Sequence, residues 1–157
     1  MDVLHRLSQL LVFIFVAPIM TAVPQTGAAH PDLSGTWVFN SAKSEPANHV
    51  ANRSETLQIA CSTTTFEVHY LTNGKTSTQT FVIDGAEHTG RQMQSGNVYS
   101  RAEWKGSELV TDFRAALEGG SNLIRIRKHW RISKDGQVLT QVIEGPAKRI
   151  FVYDKQP

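Results

Sequence analysis

The sequence predicts an all-β protein, an up-and-down antiparallel meander of about eight to ten strands closed into a barrel. Three observations predict it. Past residue 29 the apolar residues recur with a period close to two. Two-residue turn signals, Asn73-Gly74, Asp84-Gly85, Lys105-Gly106 and Asp135-Gly136, separate consecutive runs. Such pairs supply the positive φ of tight hairpins. No long segment carries a helical period.

The first element along the chain is a leader. His5 and Arg6 form a weak basic start, Leu10 to Met20 is an apolar run broken by Pro18, and Gly27-Ala28-Ala29 offers small residues for cleavage. The run is short for a membrane span, and no second apolar stretch follows. Residues 1–29 are therefore read as a secretory signal peptide, and residues 30–157 as a single β-barrel domain with no stable membrane span after cleavage. The expected location is secreted or periplasmic. A chain of 157 residues suits one such domain.

Strands are expected at Ser34–Asn40, Thr56–Ser62, Phe66–Leu71, Thr76–Ile83, His88–Met93, Val98–Lys105, Glu108–Ala115, Leu123–Ser133, Gln137–Glu144 and Lys148–Asp154. Ser41–Arg53 alternates little and contains Pro46, so it reads as a loop with room for one short helical turn. Short connections make neighbours in sequence neighbours in the sheet. A flat sheet of that many strands would expose two long edges, and closure into a barrel removes them.

Both ends of the mature chain carry motifs. Asp32-Leu33-Ser34-Gly35-Thr36-Trp37 matches the Gly-x-Trp opening of the calycins, the lipocalins and fatty-acid-binding proteins. The longer stretch Leu33 to Glu45 resembles secreted bacterial lipocalin-like proteins, and Arg149 to Lys155 resembles the final strand of such barrels. The resemblance implies a lipocalin-like or fatty-acid-binding-protein-like barrel. In it Gly35 and Trp37 close one end, and Arg149 packs over the Trp37 ring. A cation over that ring gains roughly 0.5–2 kcal/mol. Ser41–Arg53 departs from the fatty-acid-binding group, which places a helix-turn-helix lid after its first strand. No C-terminal helix of the lipocalin kind precedes Pro157.

Arg149 and Tyr153 share a strand face with Phe151 between them. In fatty-acid-binding proteins an Arg and a Tyr of the last strand hold the ligand carboxylate, at a spacing of two rather than four. The resemblance thus offers Arg149 and Tyr153 as carboxylate ligands. The alternative is that Arg149 caps Trp37 while Tyr153 fills the barrel wall. Leu123–Ser133 puts Ile124, Ile126, Trp130 and Ile132 on one face, interrupted by Lys128. Lys128 either reaches a ligand inside or snorkels out at the rim. With Trp104 and Trp130 beside the core, the expected ligand-binding set is Arg149, Tyr153, Lys128, Trp130 and Trp104, around a small apolar or amphipathic molecule. A second reading is a solid-core interaction module. It would use the opposite face of the same strand, Arg125, Arg127 and Arg131, to bind a protein or an anionic envelope polymer. That face also reads as ordinary solvated surface beside Asp112 and Glu144.

Composition narrows the classes further. The net charge is +2, and loss of Arg6 and Asp2 with the leader leaves it there. So mild a charge gives no reason to expect nucleic acid as a partner. No nucleophile elbow, zinc helix motif or phosphate loop occurs, no catalytic residue is nominated and no cofactor is expected. The histidines lack metal-ligand spacing, although cleavage after Ala29 would make His30 a new amino terminus able to chelate copper. Cys61, the lone cysteine, falls in phase with Leu57 and Ile59 and reads as a small core residue. Ligand identity and oligomeric state are left open by the sequence.

Overall fold

A strand that alternates apolar and polar residues is satisfied only when one face is covered, and here the sheet covers itself by curling. The computed structural model describes residues 29–46, 52–90, 97–116, 123–145 and 147–157. The strands are β1 (Gly35–Phe39), β2 (Glu55–Cys61), β3 (Thr65–Thr72), β4 (Lys75–Val82), β5 (His88–Thr89), β6 (Val98–Lys105), β7 (Glu108–Ala116), β8 (Leu123–Ile132), β9 (Val138–Glu144) and β10 (Arg149–Lys155). They form one 10-stranded sheet in the order β4-β3-β2-β1-β10-β9-β8-β7-β6-β5. Every strand pair is antiparallel.

The first and last strands pair in the middle of this order, with Trp37 opposite Lys155 and Phe39 opposite Tyr153. The two ends of the sheet then meet beyond β4. Ile83 bridges to Ala102 of β6, and the Gly85 N–H donates to the Ala102 carbonyl at 2.9 Å. The barrel is nearly closed, and no α-helix occurs among the described residues. The segment after β1 makes one 3-10 turn, Ser41–Lys43. No helix among the described residues is long and apolar enough to cross a membrane.

Strand positions match the sequence expectations closely, because the alternation and the hairpin turns fix them together. Gly74, Gly85, Gly106 and Gly136 all adopt positive φ at the expected turns. The expected strand His88–Met93 is described only as far as the pair His88–Thr89, since residues 91–96 lie outside the described residues. The leader, apart from Ala29, lies outside them too.

The interior is divided by depth. Near the end that holds Trp37, it is packed with side chains of the protein itself. Leu33, Trp37, Leu57, Phe66, Val68, Leu109, Trp130 and Leu139 are fully buried there. Phe66 from β3 meets Trp130 from β8 edge to face, with ring centroids 5.1 Å apart, so side chains from distant walls touch across the lumen. Each such side chain contributes on the order of 1.5–3 kcal/mol by leaving water.

Candidate functional site: a polar layer inside the barrel

Four inward positions break the apolar phase of their strands. Glu55 begins the face of Leu57 and Ile59, Tyr70 ends that of Phe66 and Val68, Gln141 interrupts Leu139 and Ile143, and Lys128 interrupts Ile126 and Trp130. The barrel brings them into one layer above the packed core.

Glu55 is the anionic centre of that layer. Its side chain is fully buried. It accepts the Tyr153 hydroxyl at 2.6 Å and further hydrogen bonds from the Thr72 hydroxyl and the Arg53 guanidinium. Three donors offset the desolvation of one carboxylate, which is the condition for burying a charge at tolerable cost. Burial, followed by the neighbouring Glu55 carboxylate, holds the Tyr153 hydroxyl protonated well above the usual tyrosine range. Arg53 also stacks on Phe151, its guanidinium carbon 4.5 Å from the ring centroid, and Phe151 meets Phe39 edge to face at 5.6 Å.

Lys128 forms the second half. Its ammonium donates to the Tyr70 hydroxyl at 2.9 Å and to the Gln79 side-chain oxygen at 3.3 Å. It lies 4.7 Å from the Tyr70 ring centroid and 5.7 Å from that of Trp130. No carboxylate pairs with it among the described residues. Burial pushes its pKa down to about 8, Glu55 partly opposing the shift and Arg53 and Arg149 adding to it. Burial likewise raises the pKa of Tyr70. Arg149, half-buried at the start of β10, has no ion pair or side-chain hydrogen bond among the described residues.

The layer therefore holds three cations, Arg53, Lys128 and Arg149, against one carboxylate. It also carries spare donors. The Gln141 amide nitrogen and Arg53 Nε are buried with no hydrogen-bond partner among the described residues. An uncompensated buried donor costs about 1–3 kcal/mol.

The five expected ligand residues separate. Lys128 and Tyr153 belong to this layer, with Arg149 at its edge. Trp130 underlies it, fully buried, with its indole N–H on the Thr111 hydroxyl at 3.0 Å. Trp104 does not join. It lies beside the Lys105-Gly106 hairpin, opposite Leu109, and stacks flat on His30 at 4.5 Å.

The cation over Trp37 is Lys155, not Arg149. Lys155 Nζ lies 5.2 Å from the Trp37 ring centroid. Register decides this, because Trp37 opposes Lys155 whereas Arg149 opposes Ile143. Six residues of strand separate the two cations, about 20 Å. Arg149 is thereby released from the closing role and left at the polar layer. The Trp37 indole donates to the Leu33 carbonyl at 3.0 Å.

Arg53, Glu55, Tyr70, Thr72, Gln79 and Gln141 were not singled out by sequence. Tyr70 and Gln141 carried the signal that marked Lys128, a polar group in the apolar phase of a strand, whereas Arg53 and Glu55 precede the expected strand and Gln79 sits in a mostly polar one.

The outer face of β8 is an ion-pair surface rather than a bare basic stripe. Arg125 and Arg127 both bond to Asp112, at 2.7 and 2.9 Å, and Arg131 and His129 both bond to Glu108. Partial burial works against ionisation of Asp112, but the two guanidinium groups win and hold its pKa below the usual carboxylate range. No group of three or more potential metal ligands occurs among the described residues. His30 engages the Gly106 carbonyl through Nδ1 at 3.2 Å besides its stack on Trp104.

No protein-family model matches the chain, and no curated relative matches it. Solved structures do match in fold. The REP1-NXSQ fatty acid transporter superposes with a TM-score of 0.58 at 13% identity, over 80% of this chain and 96% of that one. Apo lipid binding protein 8 of Caenorhabditis elegans gives 0.58 at 12% identity, over 78% and 94%. The fatty-acid-binding protein from Drosophila melanogaster brain gives 0.54 at 17% identity, over 76% and 95%. At these identities the likeness establishes the barrel and nothing finer.

Proposed function

We propose that this chain is a binding protein for a small amphipathic molecule with an anionic, acceptor-rich end, a carboxylate being the simplest. That end would lie against Lys128, Arg149 and the Gln141 amide, with the apolar part against Phe39, Phe151 and neighbouring aliphatic side chains. The observation that carries the reading is the donor surplus inside the barrel: three cations for one carboxylate, and two buried N–H groups without partners. A bound carboxylate would supply the missing acceptors and gain charge-assisted hydrogen bonds. The fold supports it, since the similar barrels named above include a fatty acid transporter and lipid-binding proteins. The leader-like residues 1–29 support action outside the cytoplasm, in the periplasm or beyond the cell.

The reading as a docking module built on Arg125, Arg127 and Arg131 has less support, because acids of the same face already occupy these arginines. Titration of the delipidated protein with fatty acids and their matching alcohols, read by tryptophan fluorescence, tests the proposal. Acids should bind at least about tenfold tighter than alcohols, a difference of about 1.4 kcal/mol. The absence of any saturable response would overturn it.

A further inference from the structure

Lys128 differs from the other lysines in kind. Lys43, Lys75, Lys105, Lys134 and Lys148 are exposed. Lys43 and Lys105 also pair with acids. Lys155 is half-buried over Trp37. Of the lysines, Lys128 alone lies in the polar layer, between the rings of Tyr70 and Trp130, with no carboxylate against it among the described residues. The one interior carboxylate nearby, Glu55, is already held by Arg53, Thr72 and Tyr153. An amine among apolar rings, lacking a counter-ion, loses its proton more easily than a solvated one. The free amine is the nucleophile that adds to carbonyl carbon.

We infer that Lys128 is a covalent capture site for small apolar aldehydes, its amine held on Tyr70 and Gln79 where it can form an imine inside the barrel. The inference rests on the reading above only in that the interior admits small amphipathic molecules. The lone pair of Nζ forms the new C–N bond as the carbonyl π bond breaks. A proton then passes from nitrogen to oxygen and gives a carbinolamine. The carbinolamine oxygen leaves as water as the C=N bond forms. One amine and one aldehyde become one imine and one water, with no oxidant or reductant.

Tyr70 suits the dehydration. Its hydroxyl is 2.9 Å from Nζ and 3.4 Å from the Gln79 oxygen. It can give a proton to the departing oxygen and recover one from nitrogen. The shift of Lys128 to about 8 leaves a usable fraction of free amine at neutral pH.

The test treats the folded wild-type protein with butanal and cyanoborohydride at pH 7 and maps alkylated lysines by peptide mass spectrometry. Lys128 should be alkylated at least about tenfold faster than Lys75, Lys134 and Lys148, by the order of free-amine fractions. That preference should shrink toward pH 10.5, where all lysines release their protons, and vanish in the denatured chain. Alkylation of Lys128 no faster than the exposed lysines at pH 7 overturns the inference. Fatty-acid titration is read separately. Acid binding without preferential alkylation removes the imine and leaves the carrier reading. Preferential alkylation without acid binding does the reverse.

Discussion

Lys155 stacks over Trp37 because Gly35 leaves room for it. A Cβ on Gly35 would lie 3.1 Å from Lys155 Cε, and Gly35 has φ +137, a conformation that side-chain-bearing residues rarely adopt. The Gly-x-Trp motif is therefore a steric arrangement: the glycine clears a path for the stem of the cation that covers the ring two residues on.

Gly35→Ala should destabilise the protein by about 1–3 kcal/mol, from backbone strain and the displaced stack. Lys155→Ala should cost about 0.5–1 kcal/mol through loss of the cation–π contact. The double variant should cost less than the sum, since the first change already disturbs what the second removes. Chemical denaturation of the four proteins checks this; strict additivity would show that Gly35 and Lys155 act independently.

The polar layer should be coupled in the same way. Tyr153→Phe leaves Glu55 with one donor fewer and should cost about 1–3 kcal/mol. In the background of Glu55→Gln the same change should cost much less, because the carboxylate that needed the donor has gone. Equal costs in both backgrounds would mean that the Tyr153 hydroxyl and Glu55 do not cooperate.

Lys128 gives the fold a pH signature. Its folded pKa, about 8, lies below the ordinary lysine value, so the unfolded chain binds more protons between about pH 8 and pH 10.5. Stability should therefore rise with pH across that window. The raised Tyr70 and Tyr153 act oppositely. Their stability contribution is full below the ordinary tyrosine pKa and is lost as pH rises through the folded values. A maximum in stability on the alkaline side of neutrality is expected. Lys128→Met should abolish the rising limb, and denaturation midpoints from pH 7 to 11 measure it.

The outer ion pairs should matter to stability and not to ligand binding. Replacing Arg125 and Arg127 by Gln takes both cations from the largely buried Asp112 carboxylate and should cost about 1–3 kcal/mol. It should leave fatty-acid titration curves unaltered. A loss of ligand affinity in this variant would move the site from the lumen to the outer face of β8.

Most of the fold was legible because it depends on local rules. Alternation places Leu57, Ile59, Phe66 and Val68 inside without reference to anything distant, and Asn73-Gly74 or Asp135-Gly136 needs only its own backbone to turn. The choice of Lys155 over Arg149 was not legible. Both fall in the inward phase of β10, and only the register against β1 selects between them. Glu55 was hidden for a similar reason. A glutamate at the edge of a run reads as loop, and its burial depends on Tyr153, 98 residues away, and on Thr72 across the strand pair. Lys128 was visible as an anomaly, but Tyr70 and Gln79, which hold it, come from the far wall of the barrel. The outer arginines depended on Asp112 and Glu108 of the adjacent strand, which a single-strand pattern leaves unmatched.

The pairing of β1 with β10 also joins the two most distant strands of the fold. The partner of the first strand is among the last residues of the chain, and so is the cation that covers Trp37. An incomplete chain has no means of sealing the ring, however much of the meander has already formed. Pairing between strands so far apart in sequence is slow to form, as long-range contacts generally are. A chain shortened before Arg149 is expected to lose the closed state outright rather than be trimmed at one edge.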